Sequence, residues 1–450
     1  MAKVSEDFPA IKQDYFKESK DGKHLLVHRK RPSFVVVNDS GLEMIKLLDG
    51  SRTVYDVGVV IAEKYGVDKD KVLEDIFLLI KKLEVSGFLD SSYREAISNE
   101  NNVIDTLSIH LTDKCNLSCI HCYNESNPYA SNEIAFEKTV ELIKDFKSLG
   151  GRNLSLTGGD PLLYPRFFDI LKKSDGFKVV SVLTNGINID ENSAKFLSDS
   201  GARIQISLDG SKPEINDLIR GNGSFKKIVK GIENLQKKGA GDRIVISTTA
   251  MRQNMQDIPA IIEIIEEIGI KFFRCLPLRC EGCARGNWNE VSAQADIEEY
   301  YSLFRRIDSL KSIKKGTIDI ETGFSKSALN MNDDERRQGC LCPIGRTFTV
   351  YANGDVFPCP IMMDKKFLAG NINELPLEEI INSDTVLKLK KSCKDRREII
   401  SKCSVCIWKN FCQGGCAAVA FHKNGTIFEA DDYCVLRKEF LHSALWGSIE

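Results

Sequence analysis

Residues 115–123 read Cys-Asn-Leu-Ser-Cys-Ile-His-Cys-Tyr, with three residues between Cys115 and Cys119 and two between Cys119 and Cys122. The preceding stretch, Thr106-Leu-Ser-Ile-His-Leu-Thr112, alternates with a period near two and predicts a β-strand. The cysteines therefore fall on a loop at the carboxyl end of a strand, where open α/β sheets and barrels place their active sites. Three converging thiolates can hold three irons of a cubane and leave the fourth without a protein ligand. The loop also suits a tetrahedral zinc site made of three Cys and His121.

Outward from this loop, strand and helix patterns alternate from 104 to about 290. Strands are predicted at 106–112, 153–157, 179–184, 203–208, 243–250 and 271–276, with helices between them such as Ile134–Leu149, Phe225–Lys238 and Ile258–Ile268. That alternation gives a parallel sheet with right-handed crossovers, and the strand count fits both a partial barrel and a doubly wound sheet. Several strand ends carry residues suited to a ligand. In Thr157-Gly158-Gly159-Asp160-Pro161 the glycines let the backbone approach a ligand closely, or make an ordinary turn. Thr184-Asn185-Gly186 ends the third strand. Ser207-Leu208-Asp209-Gly210 ends the fourth, with a hydroxyl and a carboxylate suited to ribose or methionine. Ser247 and Thr248 on the fifth strand suit adenosine, or plain strand packing.

Together these motifs resemble the radical S-adenosylmethionine (radical SAM) enzymes. The resemblance implies a partial (β/α)6 barrel in which Cys115, Cys119 and Cys122 ligate a four-iron cluster whose open iron binds SAM. Reductive cleavage then gives a 5′-deoxyadenosyl radical that removes hydrogen from a substrate. By the same resemblance Tyr123 lies near the adenine, and Gly158, Gly159 and Asp160 cradle the SAM amino group. The family more often has Glu at the position of Asp160. Arg220 meets the SAM carboxylate, or else makes only a surface ion pair. Asn185, Ser207, Asp209 and Ser247 complete the cofactor set. No catalytic acid or base is assigned.

At 450 residues the chain exceeds one ordinary core. A net charge of −2 gives no support for nucleic-acid or anionic-membrane binding. No apolar run approaches the ~18 residues of a membrane helix, and the first residues lack the apolar core of a signal peptide. A cytoplasmic location is expected. There, 15 cysteines, an odd number, favour metal or redox chemistry over disulfides.

Residues 1–95 form a first unit. Leu25–Val27 and Phe34–Val37 read as a short hairpin, and helices are expected at 40–50, 53–65 and 72–83. This is a winged-helix-like outline, but the third helix is too apolar to read base edges. The run of Asp49-Gly50, Thr53-Val54, Tyr65 and Gly87-Phe88-Leu89 resembles the PqqD-like domains that bind leader peptides by strand addition, a merely structural appendage being the plainer alternative. Residues 91–103 read as a polar linker, 104–310 as the barrel and 335–450 as a third, cysteine-rich unit.

In that third unit Cys403, Cys406, Cys412 and Cys416 are spaced by two, five and three residues, with Cys342 and Cys359 upstream and Cys434 downstream. The set resembles the SPASM extension of peptide- and protein-modifying radical SAM enzymes, which carries two auxiliary four-iron clusters. The resemblance gives Cys403, Cys406, Cys412 and Cys434 to an outer cluster, and Cys342, Cys359 and Cys416 to an inner one. Paired structural zinc sites are the plainer alternative. Cys340 is separated from Cys342 by Leu341 alone, awkward for two ligands of one cubane. Cys275, Cys280 and Cys283 form a further group that ligates metal, supplies a ligand to a neighbouring cluster, forms a redox pair, or stays free. Without a fourth ligand, one inner iron would face the substrate and take a peptide thiolate. Cys393 fits no spacing.

The expected function is therefore a radical SAM peptide maturase with SAM, three 4Fe-4S clusters and a flavodoxin- or ferredoxin-type electron donor. It would crosslink a precursor peptide, a cysteine thioether first. A carbon–carbon link, epimerisation or decarboxylation would use the same scaffold. Maturation of a folded partner protein is a second enzymatic reading, and a zinc-bearing winged-helix regulator is the reading from another class.

Overall fold

The computed structural model describes residues 11, 14–30, 32–86, 88, 104–292, 297–322 and 342–447. The linker at 91–103 and Cys340 lie outside them.

The expected N-terminal hairpin is a three-stranded antiparallel meander of β1 (Tyr15–Lys20), β2 (Lys23–His28) and β3 (Phe34–Asn38), in the order β1-β2-β3. Sequence reading missed β1 because Glu18, Ser19 and Lys20 give it no apolar period. Helices Asp39–Leu47, Val54–Tyr65 and Lys69–Val85 follow. Thr53 and Asp56 form a reciprocal capping box at the start of the second, and Gly66 ends it in the left-handed region.

Side chains on a strand alternate between two faces, and here both are buried. Leu26, Val35 and Val37 face the unit's own helices, packing with Ile45, Val57 and Ile76. Leu25, Val27, Phe34 and Val36 face the C-terminal region, packing with Trp408, Phe411, Leu441 and Leu445. The unbroken apolar run Phe34-Val-Val-Val37 is the sequence trace of this two-sided burial.

The barrel strands are β4 (Thr106–His110), β5 (Asn153–Thr157), β6 (Val179–Thr184), β7 (Arg203–Ser207), β8 (Ile244–Ala250) and β9 (Phe272–Pro277), with β10 (Asp319–Thr322) beyond the predicted six. All pair in parallel with their sequence neighbours. Strand order never reverses from β4 to β10, so this is a singly wound open barrel and not a doubly wound sheet. Ile109, Leu156, Val182, Ile204, Ile246 and Phe273 are among its buried core.

The C-terminal region joins the same sheet. β11 (Thr347–Val350) pairs in parallel with β4, Thr347 facing Thr106 and Val350 facing Ile109. β12 (Asp355–Phe357) and β13 (Gly370–Asn371) extend it antiparallel. Helices Asp384–Ile399, Ala417–Asn424 and Cys434–Gly447 complete this region.

Candidate active site

The loop after β4 is fixed by backbone contacts on several sides. Gly159 and Asp160 donate their amides to the carbonyls of Thr112 and Lys114, at 2.7 and 2.9 Å. A Cβ on Gly158 would lie 2.3 Å from the Thr112 carbonyl, and one on Gly159 would lie 2.3 Å from that of Lys114. The space these glycines leave open is thus occupied by the cysteine loop itself. On the far side Cys283 donates its amide to the Cys122 carbonyl at 2.9 Å, and a Cβ on Gly282 would meet that carbonyl at 2.3 Å. Ile120 bonds the carbonyl of Ile219 at 3.1 Å.

With the backbone held, the three thiols face one another. Burial, with a smaller contribution from the charge of Cys122, pushes Cys115 up to about 11 and Cys119 up to about 12. Neutral thiols are favoured there unless cationic metal compensates the thiolates. Asn185 Nδ2 lies 3.6 Å from Cys115 Sγ, and Arg220 Nη1 lies 4.0 Å from Cys119 Sγ. Among the described residues no three His, Cys, Asp or Glu side chains are close enough to share a single metal ion, whereas a cubane takes each thiolate on a separate iron. The donor set fits an iron–sulfur cluster.

The predicted cofactor residues surround this loop. Asp160 is fully buried and accepts from Thr184 Oγ1 at 2.7 Å and from the amides of Asn185 and Leu162 at 2.9 and 3.0 Å. Burial raises its pKa, and these bonds oppose that. Asn185 also bonds Asn116 Oδ1 at 2.7 Å. Arg220 pairs through Nη2 with Asp209 Oδ2 at 2.7 Å, both side chains being buried. His121 Nε2 lies 3.5 Å from the same oxygen, and burial lowers its pKa to about 4. His121 therefore turns toward Asp209. Ser207, at the end of β7, stands opposite Ser247 in the middle of β8.

Tyr123 meets His110 edge-on with ring centroids 6.1 Å apart, and His110 lies 4.4 Å from Tyr351, beyond β11. Sequence reading missed His110 and Tyr351. The available signal was a histidine inside a predicted strand; burial lowers its pKa to about 3.

Farther along, Cys342, Cys359 and Cys416 share one apolar pocket. Cys403 is pushed up to about 11 by burial and by the charges of Cys412, Cys434 and Cys406. Both predicted groups are thus brought together. The third group divides. Cys275 is packed in the barrel core, while Cys280 and Cys283 belong to the loop over Cys122. Within that loop Glu281 is buried with one oxygen 2.8 Å from His422 Nε2.

Residues 109–265 match the family model of the radical SAM superfamily. The chain is also 30% identical over 344 residues to the AdoMet-dependent heme synthase of Methanosarcina barkeri, covering 73% of this chain and 95% of that protein. This chain belongs to the radical SAM superfamily. It is an enzyme that uses SAM and iron–sulfur chemistry. Residues 340–407 match the SPASM iron-sulfur cluster-binding domain, and 23–89 match coenzyme PQQ synthesis protein D (PqqD). The antilisterial bacteriocin subtilosin biosynthesis protein AlbA of Bacillus subtilis is 26% identical over 413 residues, 87% of this chain and 86% of that one. The fold is shared with Streptococcus suis SuiB bound to precursor peptide SuiA, with a TM-score of 0.61 and 15% identity over 94% of this chain and 99% of that one. No helix among the described residues is long and apolar enough to cross a membrane.

Proposed function

We propose that this radical SAM enzyme matures a ribosomally made precursor peptide by installing an intramolecular crosslink, a cysteine-to-carbon thioether first. The observation that carries the reading is the outer edge of β3. Lys82 Nζ bonds the Val36 carbonyl there at 2.9 Å. On the same helix, one turn away on either side, Leu78 is 67% and Val85 83% exposed. An open strand edge beside an exposed apolar stripe suits an added peptide strand, with main-chain bonds giving affinity and the stripe giving side-chain selectivity. The PqqD match, the bacteriocin named for AlbA and the precursor peptide named for SuiB support a leader peptide as the occupant.

The three units, residues 1–95, 104–310 and 335–450, then divide the work. The first holds the leader. In the second, Cys115, Cys119 and Cys122 hold the SAM-binding 4Fe-4S cluster. Tyr123, Gly158, Gly159, Asp160, Asn185, Ser207, Asp209, Arg220 and Ser247 shape the SAM pocket. The third places Cys403, Cys406, Cys412 and Cys434 around an outer auxiliary cluster, and Cys342, Cys359 and Cys416 around an inner one. When bound, SAM and the clusters supply a hydrogen-abstracting radical and an acceptor for the electron left by bond formation. A flavodoxin or ferredoxin supplies the initiating electron. The protein's own part is to hold the peptide near the cysteine loop and keep water out.

The test uses a short cysteine-containing peptide encoded beside the gene, with SAM and dithionite under anaerobic conditions. Mass spectrometry should show loss of two hydrogens at a core cysteine. Leu78→Asp with Val85→Asp should leave peptide-independent deoxyadenosine formation unchanged and slow peptide modification. Equal modification by that variant would remove the leader role of this edge.

A further inference from the structure

We propose that Cys393, on the helix Asp384–Ile399, is the fourth protein ligand of the inner auxiliary cluster, joining Cys342, Cys359 and Cys416. The inference rests on the reading of those three as cluster ligands.

Cysteine spacing does not reveal it, since Cys393 belongs to none of the repeating offsets. The fold does. Cys393 is 4% exposed and lies in the same apolar pocket as the other three, together with Ile344 and Leu389. Its thiol is in hydrogen-bonding contact with that of Cys342. The charges of Cys342 and Cys416 are felt at Cys359, and that of Cys342 at Cys416. Cys393 thus lies beside Cys342, which in turn is close to Cys359 and Cys416 in the same apolar pocket.

The helix that carries Cys393 is also fastened to the loop that carries Cys416. Arg396, fully buried nearly one turn farther on, donates through Nη1 to the Gly415 carbonyl at 2.9 Å. Through Nη2 it donates to the carbonyls of Gly414 and Glu429 at 3.1 and 3.0 Å, and through Nε to that of Ile427. Gly414 and Gly415 lie between Cys412 and Cys416. A guanidinium presents its donors in a rigid fork, so these bonds fix Cys393 relative to Cys416. Ordinary core packing would account for one buried thiol. It would not account for that thiol meeting Cys342 on a helix pinned to the loop of Cys416.

On ligation the Cys393 thiol gives up its proton to solvent, and every iron of the cubane then has a protein thiolate. The expectation of an open inner iron that captures a peptide sulfur gives way to a closed cluster. Cys340 is not needed as a ligand, and Cys275, in the barrel core, does not have to reach across.

The test needs no peptide, so it stands apart from the fate of the maturase reading. Full-length enzyme with Cys115, Cys119 and Cys122 changed to Ala is reconstituted anaerobically, leaving the auxiliary clusters. Iron content and the electron paramagnetic resonance spectrum are recorded with and without 2-mercaptoethanol. The parent spectrum should not respond to the thiol. Added Cys393→Ala should lose iron or give a spectrum that the thiol shifts. Cys393→Ser, which keeps a ligating oxygen and the local packing, should retain iron with an altered spectrum. Cys340→Ala should match the parent. The proposal is overturned if both Cys393 variants match the parent, if the parent itself responds to thiol, or if the loss follows Cys340 instead.

Discussion

Asn410 donates through Nδ2 to the main-chain carbonyl of Arg29 at 2.8 Å, across a separation of 381 residues. Asn410 lies between Cys406 and Cys412, and Arg29 directly follows β2. The N-terminal unit therefore sits on the segment between Cys406 and Cys412. Trp408, 5% exposed, packs in the same contact. Trp408→Ala should cost about 3–5 kcal/mol, as for a large aromatic removed from a core. It should also speed hydrogen exchange in β2 and β3. Unchanged exchange there, with a folded protein, would mean that the contact does not hold the unit.

Gly159→Ala should act on the cysteine loop. The added methyl would have to displace the Lys114 carbonyl, one residue before Cys115. Overpacking of this kind costs about 1–3 kcal/mol. Felt as misplacement of the first cluster, that corresponds to at least a roughly fivefold loss of rate. Deoxyadenosine formation should fall while the auxiliary iron stays. Equal loss of iron at all sites would instead mark a general folding defect.

Arg220 and Asp209 should behave as a buried pair. Removing one partner strands the other, at a cost of about 3–5 kcal/mol. Arg220→Met or Asp209→Leu alone should therefore destabilise more than the two together. A double-mutant cycle in denaturant measures this, and simple additivity would rule out the coupling.

His422 predicts a pH dependence. Burial opposes charging its ring, but the hydrogen bond and charge of Glu281 outweigh burial, and the pKa is raised above 6.5. A group whose folded pKa is raised contributes stability that is complete below its unfolded value and lost as pH rises through the folded value. The melting temperature should therefore fall as pH rises from about 6.5. In Glu281→Gln this slope should flatten, and an identical slope would remove the pair as its cause.

The barrel was legible because its strands are apolar runs closed by turn residues. The predicted 179–184 and 153–157 are β6 and β5 to the residue. The cysteine groups were legible through their fixed offsets together with the resemblance to the SPASM extension. What the sequence withheld is what depends on distant segments. Thr347–Val350 is not among the predicted strands, and nothing local in it points to a pairing with β4. Gly158 and Gly159 announce a close approach, but only the fold shows that the Thr112 and Lys114 carbonyls make it. Cys393 announces nothing, since its neighbours in space come from three other parts of the chain.

The pairing of β11 with β4 also sets an order of events in synthesis. β4 leads into Cys115, yet the partner on one of its edges is not made until residue 347 and beyond. At ribosomal rates of about 5–20 residues per second, that edge waits on the order of tens of seconds for its partner. An unpaired strand edge is a template for mispairing. A nascent chain stopped before β11 would carry its first cysteine loop on an unfinished sheet, so the C-terminal region completes the sheet edge from which that loop springs.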